Sequence, residues 1–330
     1  MCPGGSYDCI TSFAEGFSNA TAKYGGKLWT TQGCDVAGID TKGFQEAKDL
    51  ASNADLVIFL GGLDHSLEAE SKDRPDIRLP SIQSHLIQEL APLCPNFVLV
   101  LMHGGMVGLD AVIDLVPVVV SMGYPGIYAG ELLPDVLMGN IDNAWGKLAI
   151  TWYHDNIQEQ LNMMDFSMSR PPGRTHRYYT GTPQFAFGHG LNPLTTFAMS
   201  KLRVSHSRET EGGMRLSTNL TNTGSRAGSE IVLAFFEPPP TIPPSEPVSK
   251  LKQQLFGFER VFLQPKEKKE VFIEFSPSSF LLYDADGLPA IFPGKYSIKI
   301  SNGFEIETIS ISVDEALNME FLEESTTSFA

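Results

Sequence analysis

The chain has 330 residues, of which 42% are hydrophobic and 19% are charged, and its formal net charge is -15 at pH 7. This length allows two domains, because single hydrophobic cores stop growing at about 250 to 300 residues. The acidic balance, without a cluster of Lys and Arg, argues against a nucleic-acid partner. No apolar run approaches the roughly 18 residues that cross a bilayer, so we expect no membrane partner either.

The first half of the chain alternates helical patterns with unbroken apolar runs. Such runs are typical of strands that are buried on both faces. We therefore predict an α/β layered sandwich with a mostly parallel sheet over residues 41–168, preceded by a lead-in segment over residues 1–40. The predicted strands are Leu56–Leu60, Phe97–Met102 and Val118–Met122; the predicted helices are Gly43–Asn53, a helix from about Pro80 to Leu90, a short helical stretch over Leu109–Leu115, and Gly130–Met138.

The pattern changes after a linker over residues 169–199, which is rich in Pro and Gly near its start. Short segments with alternating apolar residues, separated by turn clusters, predict an all-β sandwich over residues 200–313. A tail over residues 314–330 follows, and we expect it to be frayed from Asn318 onward. The predicted strands are Lys201–Val204, Met214–Leu220, Ile231–Phe235, Lys269–Phe275 and Tyr296–Ile300.

A loop rich in charged residues follows the first predicted strand and contains Glu68, Glu70, Asp73 and Arg74. In open α/β sheets, ligands bind outside the carboxyl ends of the strands, so carboxylates in this loop are candidates for chemistry. Glu68 and Glu70 should point to opposite sides if the loop is extended. Asp73 and Arg74 can pair with each other or anchor the loop. The alternative interpretation is an ordinary solvated surface loop.

The sequence resembles the C-terminal part of a family 3 glycoside hydrolase, closest to its β-xylosidase branch, and the second half resembles the fibronectin type III-like domain of that family. The matching segments occur in the family's order: Gly62-Leu63-Asp64, Glu68-Ala69-Glu70, Asp73-Arg74, Leu79-Pro80, Gly123-Tyr124-Pro125-Gly126, Asp135 to Gly139, Gly146-Lys147-Leu148, Thr151-Trp152-Tyr153, Pro172 to Thr175, Tyr178 to Gly181, Phe187 to Leu191, and Pro293 to Tyr296.

This resemblance implies a retaining exo-hydrolase, β-xylosidase-like or β-glucosidase-like, that acts on an oligosaccharide or glycoside. The β-xylosidase-like form would contribute to xylan breakdown. It places the general acid/base at Glu70. Glu68 is the second choice for that role and a substrate-binding candidate. The chain departs from the family in having Ser71 and Lys72 after this glutamate, where small or apolar residues are usual, and a nearby ammonium lowers a carboxyl pKa.

A second carboxylate is needed for retaining hydrolysis, and the family carries it on an N-terminal (β/α)8 barrel. A barrel requires about 250 residues, and no part of this sequence has that pattern. We therefore expect this chain to be a fragment that is inactive alone and needs the barrel as its partner. The alternative is a non-catalytic carbohydrate-binding or interaction module. If the barrel is missing, we expect a large apolar patch on the loop side of the sheet domain, whereas a charged surface without such a patch would argue for a complete chain.

Four cysteines and two N-glycosylation sequons, at Asn19 and Asn219, suit a secreted protein, although the chain has no signal peptide and its start is expected to be truncated. A disulfide between Cys9 and Cys34 and four reduced thiols are both open alternatives. His65, His176 and His189 lack metal-ligand spacing, and the glycines after His103 do not match a dinucleotide fingerprint. We expect neither a metal nor a cofactor.

Overall fold

The computed structural model describes residues 7–142, 144–208 and 212–329. The chain forms two compact units. The first consists of Met1–Ile141 and Trp152–Asn162, and the second consists of Asp142–Thr151 and Met163–Ala330. The chain therefore passes from the first unit to the second and back before it enters the sandwich.

The first unit contains a parallel three-stranded sheet, in the order β1, β2, β3, together with helices. This is the α/β layered fold expected from the sequence. The elements are α1 (Phe13–Lys23), α2 (Phe44–Ala51), β1 (Val57–Gly62), α3 (Ser81–Leu90), β2 (Phe97–Met102), β3 (Val118–Gly123), α4 (Ala129–Leu137) and the short α5 (Ile157–Gln160).

Burial differs among the three strands. The central strand β2 is buried along most of its length, whereas β1 is half-buried, and Val118 at the start of β3 is 45% exposed. The prediction that Leu56–Leu60 and Val118–Met122 are buried strands is therefore wrong in its burial, although both strands form. The reason is position, because β1 and β3 are the two edges of the sheet.

Helices cover the sheet, and their apolar faces explain where they pack. Phe17 of α1 and Leu133 of α4 pack against the even-numbered side chains of β1 and β2, which share one face. In α3, the apolar stripe of Ile82, Leu86, Ile87 and Leu90 is buried as expected.

Helix α1 lies within the segment for which no helix was predicted. Its glycine Gly16 contacts α4 so closely that an added Cβ would lie 1.8 Å from the carbonyl oxygen of Gly130. The glycine that weakens the helical signal is therefore the residue that allows the helix to pack. Conversely, the predicted helical stretch Leu109–Leu115 forms consecutive turns, closed by bonds such as that from the Val112 amide to the Leu109 carbonyl.

The second unit is an antiparallel β-sandwich, as the sequence predicted. One sheet has the order β13-β12-β11-β6-β7, and the other has the order β4-β5-β8. All five predicted strands form. The elements are α6 (Thr175–Tyr178), β4 (Phe197–His206), β5 (Met214–Asn222), β6 (Gly228–Glu237), β7 (Gln254–Leu263), β8 (Lys268–Phe275), β9 (Leu282–Tyr283), β10 (Pro289–Ala290), β11 (Gly294–Ser301), β12 (Glu305–Val313) and β13 (Met319–Phe329).

The C-terminal tail does not fray as expected. Strand β13 pairs antiparallel with β12 and forms the edge of the five-stranded sheet. Sequence reasoning missed it because its polar run lacks the apolar alternation of a half-buried strand. Among the helices of the described ranges, none is long and apolar enough to cross a bilayer.

A buried ion pair joins the segment Asp142–Thr151 to the sandwich. The Nζ of Lys147 lies 2.9 Å from Oε1 of Glu230 on β6, and both side chains are 7% exposed. Lys147 also donates to the carbonyl of Gly190 at 2.6 Å. Burial raises the pKa of Glu230, and the positive charge of Lys147 opposes that effect.

The cysteines do not form the disulfide that was considered. Cys34 and Cys94 are free thiols, so a Cys9–Cys34 bond is wrong, as is the alternative of four reduced thiols, because Cys9 is disulfide-bonded. Cys2 lies outside the described residues.

Candidate active-site loop

The loop from Leu63 to Pro80 connects β1 to α3 and begins at the carboxyl edge of the parallel sheet. Two other loops leave the same edge. One contains Gly104 and Gly105 after β2, and the other begins with Tyr124 after β3. The charged residues of the first loop are therefore placed where ligands bind in open α/β sheets.

Glu68 connects all three loops. Its Oε1 accepts hydrogen bonds from the Tyr124 hydroxyl at 2.9 Å, the Gly104 amide at 3.2 Å and the Gly105 amide at 3.3 Å. Its Oε2 accepts a bond from Nε of Arg74 at 3.0 Å. Both oxygens are therefore engaged, and Glu68 fixes the base of its own loop.

The environment of Glu68 favours its ionised form. Burial alone would raise the pKa of this carboxyl. The hydrogen bonds from Tyr124 and Gly105, together with the charge of Arg74, outweigh burial and lower the pKa. Burial and the adjacent Glu68 raise the pKa of Tyr124, so the phenol stays protonated as the donor of the bond. A carboxylate held in this way is a poor proton donor at neutral pH.

Arg74 anchors the loop, which is one of the two roles expected for it. Besides its ion pair with Glu68, it donates to the carbonyls of Ile77 at 3.1 Å and Met106 at 2.8 Å. Its side chain is 11% exposed. Among the ion pairs of the described residues, Arg74 pairs with Glu68 and not with Asp73.

Glu70 occupies the tip of a tight turn. Ala69 and Lys72 exchange two backbone hydrogen bonds, of 3.1 and 3.0 Å, across Glu70 and Ser71. Ser71 has φ +63°, the left-handed conformation that such a turn requires. Glu70 is exposed, and its carboxylate makes no hydrogen bond or ion pair within the part of the chain that the structure describes. Glu68 is held at the sheet edge while Glu70 is presented to solvent.

The ammonium of Lys72 was expected to lie near the carboxyl group of Glu70. In the structure its ammonium donates instead to the carbonyl of Ser66, on the other side of the turn. This bond fixes the position of Lys72, the last residue of the turn. The loop thus holds Glu70 on a backbone fixed at Lys72, Arg74 and Glu68.

The glycines after β2 allow Glu68 to pack closely against their backbone. A Cβ added at Gly104 would lie 2.8 Å from Cε2 of Tyr124 and 2.9 Å from Oε1 of Glu68. Only glycine leaves room for these two groups to meet. Before them, His103 is buried, and its ring nitrogens contact the carbonyl of Gly105 and the hydroxyl of Ser121 at 3.0 and 2.8 Å. Burial lowers the pKa of His103, which keeps its ring neutral.

A second carboxylate pair lies near this loop and was not found from the sequence. Asp110 accepts bonds from Nδ1 of His154 at 2.8 Å and from the amide of Asp155 at 3.0 Å. Burial and the charge of Asp110 raise the pKa of Asp155, which lies 3.6 Å from Nε of Arg78. These partners come from three distant parts of the sequence, so no local motif announces them. The cluster ties the Trp152–Asn162 segment to the loops after β1 and β2.

The aromatic residues Tyr124, Trp152, Tyr178 and Tyr179, which lie in the segments that resemble the family, have different environments. Trp152 and Tyr179 are buried, and Trp152 donates to the carbonyl of Val107 at 2.8 Å, so these two are core residues. Tyr178 is partly buried against the core of the sandwich. Tyr124 is 53% exposed beside Glu68, and the exposed Ile127, Tyr128 and Leu132 follow it. These exposed apolar side chains lie between the end of β3 and the first half of α4, and the large apolar patch stays a prediction.

Comparisons with known proteins agree with this architecture. A family model described as the glycosyl hydrolase family 3 C-terminal domain matches residues 2–192, more than half of the chain. The chain belongs to glycoside hydrolase family 3. A fibronectin type III-like domain model matches residues 230–303.

Two family 3 relatives illustrate the similarity in sequence. A probable exo-1,4-β-xylosidase of Aspergillus terreus is 30% identical over 311 residues, which is 90% of this chain and 40% of the relative. A probable exo-1,4-β-xylosidase of Aspergillus clavatus is 32% identical over 82% of this chain and 36% of the relative. The chain thus spans about 40% of the length of the curated relatives it matches.

Solved family 3 structures show the same fold. A family 3 exo-β-xylosidase in complex with a xylobiose aziridine activity-based probe has a TM-score of 0.78 and 28% identity, over 93% of this chain and 42% of that one. A family 3 β-glucosidase of Bifidobacterium adolescentis has a TM-score of 0.74 at 21% identity, over 97% of this chain and 45% of that one, which supports the fold alone.

Proposed function

We propose that this chain is the acid/base-bearing part of an exo-acting, retaining β-glycosidase of the β-xylosidase type, which takes part in xylan breakdown. Relatives at about 30% identity that are named as exo-1,4-β-xylosidases support the substrate class. The geometry of the loop after β1 supports the role of the chain. A rigid base positions one unpaired carboxylate at the carboxyl edge of a parallel sheet.

Glu70 is the proposed general acid/base, and its presentation at the tip of the Ala69–Lys72 turn is the observation that carries the proposal. In the first step, Glu70 would give its proton to the glycosidic oxygen as the bond to the sugar breaks. In the second step, its carboxylate would take a proton from the water that hydrolyses the covalent glycosyl-enzyme intermediate.

This role requires a second protein surface. A proton donor in glycoside hydrolysis is kept protonated by a desolvated environment, and Glu70 is exposed on this chain. The mechanism also needs a nucleophilic carboxylate about 5 Å away. Glu68 is unsuited to that task because four donors engage its oxygens. We infer that a (β/α)8 barrel supplies the nucleophile and covers Glu70, and that this chain alone is inactive.

Glu68 is proposed first as a positioning residue that holds the loop. Its side chain is 20% exposed, so a contact with the sugar is compatible with its burial, and the substrate-binding role stays a prediction. We also propose an extracellular location. The disulfide at Cys9 and the exposed sequon residue Asn19 support it, because disulfides persist in oxidising compartments.

The test compares this chain alone with the chain joined to the coding sequence upstream of Met1, each as wild type, Glu70→Gln and Glu131→Gln. Glu131 is another exposed glutamate and serves as the matched control. We expect hydrolysis of 4-nitrophenyl β-xyloside only by the extended form, a loss of at least 100-fold in kcat/KM on xylobiose with Glu70→Gln, and no change with Glu131→Gln.

Two further measurements identify the acid/base role. Activity of Glu70→Gln on 2,4-dinitrophenyl β-xyloside should fall much less, because that leaving group needs no proton. Added azide should restore turnover and yield β-xylosyl azide, since azide attacks the glycosyl-enzyme without base assistance. Equal activity of the extended wild type and Glu70→Gln on xylobiose would refute the assignment. No activity in any form would favour the non-catalytic module.

A further inference from the structure

A cavity of about 300 Å³ lies in the second unit of the chain. Ligand pockets range from about 300 to 1,000 Å³, so this cavity has room for one molecule the size of a sugar residue. It is lined by residues of α6, β7 and β9 and by the residue before β9, namely His176, Arg177, Gln254, Leu255, Leu281, Leu282 and Tyr283. Because these residues are far apart in the sequence, no local pattern predicts the cavity.

Arg177 is the only charged residue among the described residues that line this cavity. Its side chain is half-buried, its Nη2 donates to Oε1 of Gln254 at 2.8 Å, and its Cζ lies 5.5 Å from the ring centroid of Tyr178. These two contacts fix the plane of the guanidinium. Within the described ranges no carboxylate forms an ion pair with Arg177, and its Nε is buried without a hydrogen-bond partner. The cavity therefore contains a fixed cation that lacks a counter-charge.

The other lining residues are uncharged. Burial lowers the pKa of His176 to about 4, so its ring, which stacks on Phe187, is neutral near pH 7. The side chains of Leu281 and Tyr283 are 38% and 59% exposed and supply an apolar surface. The Oε1 of Gln254 already accepts a hydrogen bond, so its Nε2 remains as a donor. The lining thus combines one cation, one amide donor and an apolar surface.

We propose that this cavity binds a uronic acid residue, which is a sugar that carries a carboxylate. The carboxylate would accept hydrogen bonds from the guanidinium of Arg177, whose planar donors match a carboxylate in geometry. The C–H face of the sugar ring would pack on Tyr283 and Leu281, and a hydroxyl would accept from Nε2 of Gln254. The inference does not rest on the role of Glu70, since binding in this cavity requires no hydrolysis.

Other occupants fit less well. A neutral sugar would cover Arg177 without supplying a counter-charge, and burying an unpaired charge costs free energy. A small anion such as acetate would pair with Arg177 but would leave the apolar surface of Tyr283 and Leu281 in water. The net charge of -15 does not prevent the binding of one carboxylate, because exposed charges farther away than about 8 Å are largely screened at physiological salt.

The probe for the test is methyl α-D-glucuronoside, added to the full 330-residue chain. Its matched control is methyl α-D-glucoside, which has the same ring but a hydroxymethyl group in place of the carboxylate. Sodium acetate supplies the carboxylate without the ring. Dissociation constants are measured by NMR titration of the ¹⁵N-labelled chain, and the backbone amide signals of Arg177, Leu255 and Tyr283 locate the contact.

Two variants of the cavity and one control variant make the test specific. Gln254→Glu places a carboxylate beside Arg177, so the protein supplies its own counter-charge, and Arg177→Gln removes the cation. Each should weaken binding of the glucuronoside at least tenfold. Arg203→Gln, at an exposed arginine of β4, should change it less than twofold. If Arg177→Gln does not fold, Gln254→Glu decides the test, because it keeps Arg177 in place.

We expect the glucuronoside to bind at least tenfold more tightly than the glucoside or acetate and to shift the amide signals of Arg177 and Tyr283. The proposal is overturned if the glucuronoside does not bind or if the glucoside or acetate binds within twofold of it. It is also overturned if Gln254→Glu binds the glucuronoside as tightly as the wild type does.

Discussion

The hydroxyl of Tyr124 donates a hydrogen bond of 2.9 Å to the carboxylate of Glu68, which lies 56 residues earlier in the chain. This bond links the loop after β3 to the loop after β1, and the amides of Gly104 and Gly105 add the loop after β2. The relative positions of the three loops at this edge of the sheet therefore depend on the carboxylate of Glu68. If Glu70 is the acid/base, its placement is controlled by a residue two positions away that need not react.

Removing the phenol should loosen the loop. Tyr124→Phe deletes one hydrogen bond to a partly buried carboxylate, so we expect a loss of about 1 kcal/mol in the free energy of unfolding. Amide exchange in Leu67–Lys72 should become faster. Tyr128→Phe is the control, because Tyr128 is 63% exposed. Urea unfolding and hydrogen exchange measure both effects, and equal behaviour of the two variants would contradict the anchoring role.

The contribution of Glu68 should depend on pH. In the folded protein the pKa of Glu68 lies below the ordinary glutamate value of 4.5. Its stabilising effect is therefore fully present above about pH 5 and is lost as the pH falls below 4.5 through the folded pKa. Glu68→Gln should cost about 2 kcal/mol in unfolding free energy at pH 7 and clearly less at pH 3. Urea unfolding of both proteins across this range is the measurement, and a constant difference would exclude the ionised anchor.

A methyl group at Gly104 should separate Glu68 from Tyr124. Gly104→Ala places a Cβ 2.8 Å from the tyrosine ring and 2.9 Å from the carboxylate. We expect a loss of about 1 to 3 kcal/mol in unfolding free energy, as for other overpacked sites. Gly126→Ala, where a Cβ meets nothing within 4 Å, is the control and should be neutral. Thermal unfolding compares the two variants. Similar melting temperatures would show that the site accommodates the methyl group without losing stability.

The buried pair of Lys147 and Glu230 should respond unequally to single and double substitutions. Lys147→Met leaves a buried carboxylate without its cation and should cost about 3 to 5 kcal/mol. The double variant Lys147→Met with Glu230→Gln removes both charges and should recover part of this loss. Urea unfolding of the two single variants and the double variant provides the cycle. Additive losses would mean that the two charges do not interact.

Sequence reasoning succeeded where a single local pattern decides the structure. The unbroken apolar run Phe97–Met102 became β2 with the predicted bounds, and the stripe from Ile82 to Leu90 became the buried face of α3. It failed where tertiary contacts decide. The same kind of run gave half-exposed edges in β1 and β3, and α1 formed despite Gly16 because that glycine packs against Gly130.

The candidate site shows the same division. The residue types and spacing of Glu68, Glu70 and Arg74 pointed to a loop that begins at the carboxyl edge of the sheet. Their separate roles could not be predicted, since the partners of Glu68 lie on two later loops. Nor did the sequence indicate that Lys72 bonds to the carbonyl of Ser66. Such contacts appear only after the strands have been brought side by side.

Gln83 gives the edge of β1 a fixed end. A strand that slides by two residues keeps its faces unchanged, so an apolar pattern alone leaves several alignments nearly equal in energy. The side-chain amide of Gln83 already binds both polar backbone groups of Gly62. Gln83 therefore limits how far along β1 a neighbouring backbone could pair. The limit comes from a hydrogen-bonded side-chain amide and does not depend on the side chains of that backbone.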